Sequence, residues 1–199
     1  MQPETTMLRF IQLLPNASPQ GKFLLKDLPG SGKRIDVLCR DLEACFSWGP
    51  RTWGKDSLEF VAVIADSRII VFNNPSDAAP ESEVSWATVI RNSLNDNPPR
   101  YVKVLNGSTE DIILKYSNPP ISNLWVLDES GSHISSVRFV RSATQNSFML
   151  GDHKGFDFQT ENLLSRYSVP KVSLGKKSYL SSHCVASIIS EFERSKNAR

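Results

Sequence analysis

Ser147-Phe148-Met149-Leu150-Gly151-Asp152-His153-Lys154-Gly155 is the stretch from which the fold can be read. A short run of strand character ends in a polar segment bounded by two glycines. Glycine is used where a chain turns sharply or where its backbone must approach a ligand closely. The pattern recurs on both sides. Residues 124–127 read as a strand that runs into Asp128-Glu129-Ser130-Gly131, and residues 169–174 as one that runs into Gly175-Lys176-Lys177-Ser178. Helical patterns follow near residues 161–167 and 182–194. Strands alternating with helices argue for an α/β fold with a mostly parallel sheet and flanking helices. In such sheets ligands sit outside the carboxyl ends of the strands, and all three loops are expected there.

Upstream, residues 8–14 read as a strand interrupted by Arg9 and Gln12 and stopped by Pro15. Ile35, Leu38, Cys39, Leu42, Cys45 and Phe46 share one helical face. Residues 58–65 and 69–72 read as strands joined by a turn, and residues 73–80 are turn-rich. Val84, Ala87, Ile90 and Leu94 mark a second helix that Pro98-Pro99 closes off. A short strand over 101–105 follows. Ser108 is placed to cap a helix reaching Tyr116, with Asp111 as the acid of a capping box.

The chain of 199 residues is expected to form one domain over 1–199, with residues 1–6 a disordered extension. A domain near this size buries roughly 70% of its unfolded surface and needs no staple. Hydrophobic residues are 40% and charged residues 22%, which excludes a disordered chain. Net charge is +2, which permits phosphate contacts without demanding them. The longest clean apolar run, residues 60–65, falls far short of the roughly 20 residues that span a bilayer, so no membrane partner is expected. The opening residues carry no basic segment, so no secretory signal is expected. The odd count of 3 cysteines (Cys39, Cys45, Cys184) argues for reduced thiols and a cytoplasmic location. Three scattered histidines and these cysteines show no metal-ligand spacing, so no metal is expected.

Leu28-Pro29-Gly30-Ser31-Gly32-Lys33 looks like a phosphate loop but fails as one. A Walker A loop needs glycine where Asp27 stands and Ser or Thr where Arg34 stands. The stretch reads instead as a loop into the helix from Ile35, or as a basic loop touching phosphates, with Lys22, Lys26, Lys33, Arg34 and Arg40 close together. A solvated charged face is the plainer explanation of such a cluster. Asp152 and His153 are neighbours on an extended segment and point opposite ways, so they form no dyad with each other. His183-Cys184 opens the last helix, where a small packed cysteine is the plainer reading. Trp48, Trp53, Trp86 and Trp125 follow no period and read as core or interface.

Taken in order, four stretches resemble the SPOUT methyltransferases, specifically the archaeal TrmY family. They are Leu25-Lys26-Asp27-Leu28-Pro29-Gly30-Ser31-Gly32-Lys33-Arg34-Ile35-Asp36-Val37-Leu38-Cys39-Arg40, then Trp125-Val126-Leu127-Asp128-Glu129-Ser130-Gly131, then Phe148-Met149-Leu150-Gly151-Asp152-His153-Lys154-Gly155, and finally Val172-Ser173-Leu174-Gly175 through Ser182-His183-Cys184-Val185. The resemblance spans nearly the whole chain from Met7. It departs at Lys33 and Arg100, where glycine is expected, at Gly175-Lys176, where Ser-Pro is usual, and over residues 73–97.

The resemblance implies a SPOUT fold with a C-terminal deep trefoil knot, an exception to unknotted topology, and a homodimer. It implies a cofactor, S-adenosyl-L-methionine, bound in the knot against Leu127, Gly151, Leu174, Gly175, Lys176, Lys177, Ser178, Tyr179 and Cys184. It implies methylation of N1 of pseudouridine 54 in the tRNA T-loop. That nitrogen carries a proton that a base must accept, for which Asp36 and Asp152 are the candidates. Lys22, Lys26, Arg34, Arg40 and Arg51 are the candidate RNA contacts. Two other readings stay open: a SPOUT enzyme acting on another tRNA or rRNA nucleotide, and a non-catalytic RNA-binding assembly factor.

Overall fold

β1 (Met7–Leu14) lies in the middle of a seven-stranded sheet and is buried along almost its whole length. The computed structural model describes residues 7–50, 53–117, 122–137, 145–151 and 155–197. The expected extension over 1–6, Arg51 and Asp152 therefore lie outside the described residues. β1 pairs in parallel with β2 (Leu58–Ile64) on one side and β6 (Gln145–Leu150) on the other. Beyond β2 the sheet turns antiparallel, through β3 (Arg68–Asn73) and β4 (Val102–Asn106). Beyond β6 it stays parallel, through β5 (Ser122–His133) and β7 (Lys171–Ser173). The strand order is β4-β3-β2-β1-β6-β5-β7. The expected mostly parallel sheet is present, with an antiparallel edge made by the hairpin that the turn after residue 64 creates.

Alternation along β1 divides the core. Leu8, Phe10 and Leu14 face α1 (Ile35–Ser47), α2 (Glu83–Leu94) and α5 (Ser181–Asn197). Ile11 and Leu13 face α3 (Thr109–Tyr116) and α4 (Phe158–Arg166). On the first face Phe10 contacts Phe60 at 6.3 Å and Phe148 at 6.4 Å between ring centroids, and Phe192 of α5 closes on Phe148 at 6.0 Å. On the second, buried Arg9 is ion-paired with Glu59, donates to Ser147 Oγ at 2.9 Å and stacks 3.8 Å over the Tyr116 ring. This charge is thus paired and hydrogen-bonded, as burial requires. The capping box on Ser108 and Asp111 forms as its spacing implies. Trp86 is core, whereas Trp48 at the end of α1 is 69% exposed.

One expectation needs refinement. Asp128–Gly131 does not end β5. Leu127 pairs with Val172, the chain makes a four-residue excursion, and Ser132 then pairs with Val172 again. β7 therefore meets β5 on both sides of that polar loop. Gly131 lies so close to β7 that a Cβ there would stand 2.6 Å from the Val172 nitrogen.

Candidate cofactor and RNA site

The carboxyl ends of β5, β6 and β7 open into a cavity of about 640 Å³ beside the N-terminal ends of α1 and α5. That volume suits a nucleoside-sized ligand. Leu127, Leu150, Val172 and Leu174 provide apolar wall, while Asp128, Glu129, Ser173 and Ser178 bring polar groups to it. Of the residues expected at a cofactor, Leu127, Gly151, Leu174, Gly175, Lys177, Ser178, Tyr179 and Cys184 all line this cavity. Lys176 is not among its lining residues.

The loops that carry these residues are shaped locally. A Cβ on Gly151 would stand 2.8 Å from the backbone of Gly155, so the glycine is required for the loop to close on itself. Ser173 Oγ donates to the Gly175 carbonyl at 2.7 Å and accepts from its N–H at 3.0 Å. Gly175 has φ +154, which favours glycine, and faces the Tyr179 hydroxyl. Burial, with the charges of Asp41 and Glu129, pushes the Cys184 thiol up to about 12. It is a neutral wall group and no nucleophile at neutral pH. Burial works against the charge of Asp128, but the Lys171 ammonium at 2.7 Å and the Ser130 donors outweigh it and hold the carboxyl down at about 2. Asp128 is therefore an anion at the cavity wall at any physiological pH.

Arg34 and Arg40 also line the cavity. Asp36 beneath them is buried and accepts from Arg34 Nε at 3.1 Å and from Arg40 Nη2 at 2.7 Å. Both of its oxygens are engaged, Oδ1 by Arg34 Nε and Oδ2 by Arg40 Nη2, and Arg34 Nη2 also reaches Oδ2 at 3.3 Å. Lys22 and Lys26 are exposed and lie away from the cavity lining. The phosphate-loop lookalike is explained by its hydrogen bonds. The Asp27 carboxylate takes the N–H groups of Gly30 and Ser31, and the Asp27 carbonyl takes that of Gly32, so no cradle of free amides remains. Lys33 and Arg34 follow with φ 49 and 76, both left-handed. Lys33→Gly is expected to raise stability by about 0.5–1 kcal/mol by relieving that backbone, seen as a higher urea midpoint; Lys33→Ala gives no such gain.

Two residues that matter here have only faint signals in the sequence. Gln12 is a polar interruption in an apolar strand, and its Nε2 donates to the Gly151 carbonyl at 2.9 Å. Asp41 is an acid three residues after Leu38, on the apolar stripe of α1, and it accepts from Ser181 Oγ at 2.7 Å at the start of α5. Among the described residues, no group of three His, Cys, Asp or Glu could hold a metal ion. No helix there is long and apolar enough to cross a membrane.

Comparison with known proteins decides the family. Residues 7–197 match the family described as "Putative SAM-dependent RNA methyltransferase". The chain belongs to this family. Relatives agree with it over nearly their whole length. The tRNA (pseudouridine(54)-N(1))-methyltransferase of Thermococcus onnurineus is 33% identical, over 90% of this chain and 94% of its own. The protein of the same name from Thermococcus gammatolerans is 34% identical, over 92% and 95%. In fold, the chain resembles the Nep1 protein of Archaeoglobus fulgidus bound to S-adenosylhomocysteine. That structure superposes with a TM-score of 0.67 at 15% identity, covering 97% of this chain and 99% of that one. The resemblance to SPOUT methyltransferases is thereby borne out.

Proposed function

We propose that this protein transfers a methyl group from S-adenosyl-L-methionine to N1 of pseudouridine 54 in the T-loop of tRNA. The observation that carries this reading is the cavity itself: glycine-shaped loops and apolar walls from β5–β7 on one side, two arginines from α1 on the other. The lining fits the cofactor. Leu127, Leu150, Val172 and Leu174 suit an adenine face, and Asp128 and Glu129 suit hydroxyl or ammonium donors. When bound, the cofactor supplies an electrophilic methyl on a sulfonium, and the protein's task is to align it with the attacking nitrogen.

The chain's own residues divide the remaining work. Arg34 and Arg40 hold RNA phosphate at the cavity rim. Asp36, with both oxygens taken by guanidinium donors, holds those arginines in position and does not accept the N1 proton. Asp152, next to Gly151 in sequence, is then the proposed base. Asp36→Asn is expected to leave S-adenosylmethionine affinity within about twofold and to raise KM for tRNA about tenfold, the cost of weakening charge-assisted bonds. A variant with wild-type tRNA kinetics removes Asp36 from the site.

The wider reading follows from the same features. The double pairing of Val172 with Leu127 and Ser132 supports a β7 threaded through the β5 excursion, as a trefoil knot requires. Exposed Tyr179 and Leu180 at the cavity support an active site covered by a second copy, a homodimer. One domain over 1–199 acting in the cytoplasm fits three free thiols.

The test is calorimetric titration with S-adenosylmethionine, then mass analysis of tRNA transcripts carrying uridine or pseudouridine at position 54. Saturable binding near one per protomer and a methyl-mass gain only on pseudouridine are expected. Binding with methylation elsewhere replaces the substrate, and absent binding by folded protein removes the activity.

A further inference from the structure

We propose that Gln12 is a positioning residue for the cofactor loop, acting from the central strand through the carbonyl of Gly151. This rests on the reading of the cavity as the S-adenosylmethionine site. Gln12 is fully buried in β1, on the α1/α5 side of the sheet with Phe10 and Leu14. A leucine or methionine would fill that position in an apolar core without an amide to desolvate. The buried amide makes few bonds in return: Nε2 reaches the Leu13 carbonyl at 3.2 Å and the Gly151 carbonyl at 2.9 Å. Oε1 is buried without a partner among the described residues. A buried amide with its oxygen unpaired among the described residues weakens the fold, so its presence is not explained by stability.

Its one long-range bond has a specific address. The pairing of β1 with β6 ends at Gln12 and Leu150. Gly151 is therefore the first residue beyond the ladder, where strand pairing no longer sets the orientation of the backbone. Gln12 supplies that missing constraint. Gly151 lines the cavity and closes tightly on Gly155, so the orientation of its peptide sets the cavity wall on that side. This differs from the other buried polar residue of β1. Arg9 is matched by Glu59, Ser147 and Tyr116 at the opposite end of the strand.

The test compares Gln12→Met, which keeps length and removes the donor, with wild-type protein in two measurements. One is the thermal midpoint; the other is titration with S-adenosylmethionine. A midpoint equal to or above wild type together with affinity about tenfold weaker is the expected result. At saturating cofactor, kcat on tRNA is expected near the wild-type value, so the loss appears in the cofactor KM. Gln12→Leu, which also cannot donate, is expected to show the same loss of affinity. Unchanged affinity in Gln12→Met overturns the proposal, and so does a fall in midpoint and affinity together, which marks a merely structural amide. If wild-type protein itself does not bind the cofactor, the reading of the cavity fails first, which is a separate and recognisable outcome.

Discussion

Gly131→Val is expected to cost this protein more than about 4 kcal/mol of stability, enough to leave little folded protein. The reason is backbone against backbone. A Cβ at 131 would stand 2.6 Å from the nitrogen of Val172, 2.7 Å from the carbonyl carbon of Lys171 and 2.8 Å from that of Val172. A flexible side chain can swing away from such a contact, but a strand cannot. To make room, β7 would have to leave Val126, Leu127, Ser132 and His133, its partners on β5. Val172 and Ser173 would leave the cavity wall with it, so cofactor binding is lost along with stability. Urea unfolding followed by circular dichroism reads the effect. Gly155→Ala is the control. Gly155 has φ +84 with nothing within 4 Å of an added Cβ, so it carries only the left-handed backbone cost of roughly 1–2 kcal/mol. Equal midpoints for the two variants would show that β7 yields easily.

Asp41→Asn is expected to flatten the pH dependence of stability. Burial is the main force that lifts the Asp41 carboxyl to about 8; Asp36 adds to it, while the Ser181 hydrogen bond and Arg40 oppose it. Its Oδ2 is buried without a partner among the described residues. In the unfolded chain the group titrates near its ordinary value of 3.8. Between these two pH values the folded protein holds a proton that the unfolded chain has released. The stabilisation is complete below the lower value and falls by about 1.4 kcal/mol per pH unit until it is lost at the upper one. Asparagine keeps the acceptor for Ser181 and has no proton to lose. The stability of the variant relative to wild type should therefore rise steadily from about pH 4 to about pH 8 and level off above. Parallel profiles across that range would mean that Asp41 is ionised in the folded protein.

The two predictions come from opposite sides of what a sequence displays. Gly131 is visible as a glycine in a polar loop, but its reason is not, because Val172 is distant in sequence and adjacent only in space. Asp41 sits on the stripe that Ile35, Leu38, Leu42 and Cys45 define, so an acid there was readable as buried. That it meets Ser181 was not, since the approach of α5 to α1 is a matter of chain return.

Periodicity and turn chemistry are local, and they were legible. The alternation in β1, the stripe of α1, the capping box at Ser108 and the three strand-to-glycine loops all express forces between residues a few positions apart. They also predict that the loops gather at the carboxyl ends of the strands, where the cavity indeed lies. The refinement at Asp128–Gly131 shows the limit of that legibility. A strand that leaves its ladder for four residues and then resumes pairing with the same partner looks, in sequence, like a strand that ends.

What the sequence determined by itself is the class of fold, the loops that build the cavity and the family to which the chain belongs. Only the tertiary structure decided which cations reach that cavity. Arg34 and Arg40 line it and Lys22 and Lys26 do not, because the N-terminal end of α1 docks beside β5–β7. Only the tertiary structure gave Gln12 its bond to Gly151 and Asp41 its bond to Ser181. The physical reason is the same in each case. Local pattern records what a residue does to its own strand or helix, whereas the bond that gives a site its chemistry is made across sequence distances that only packing closes.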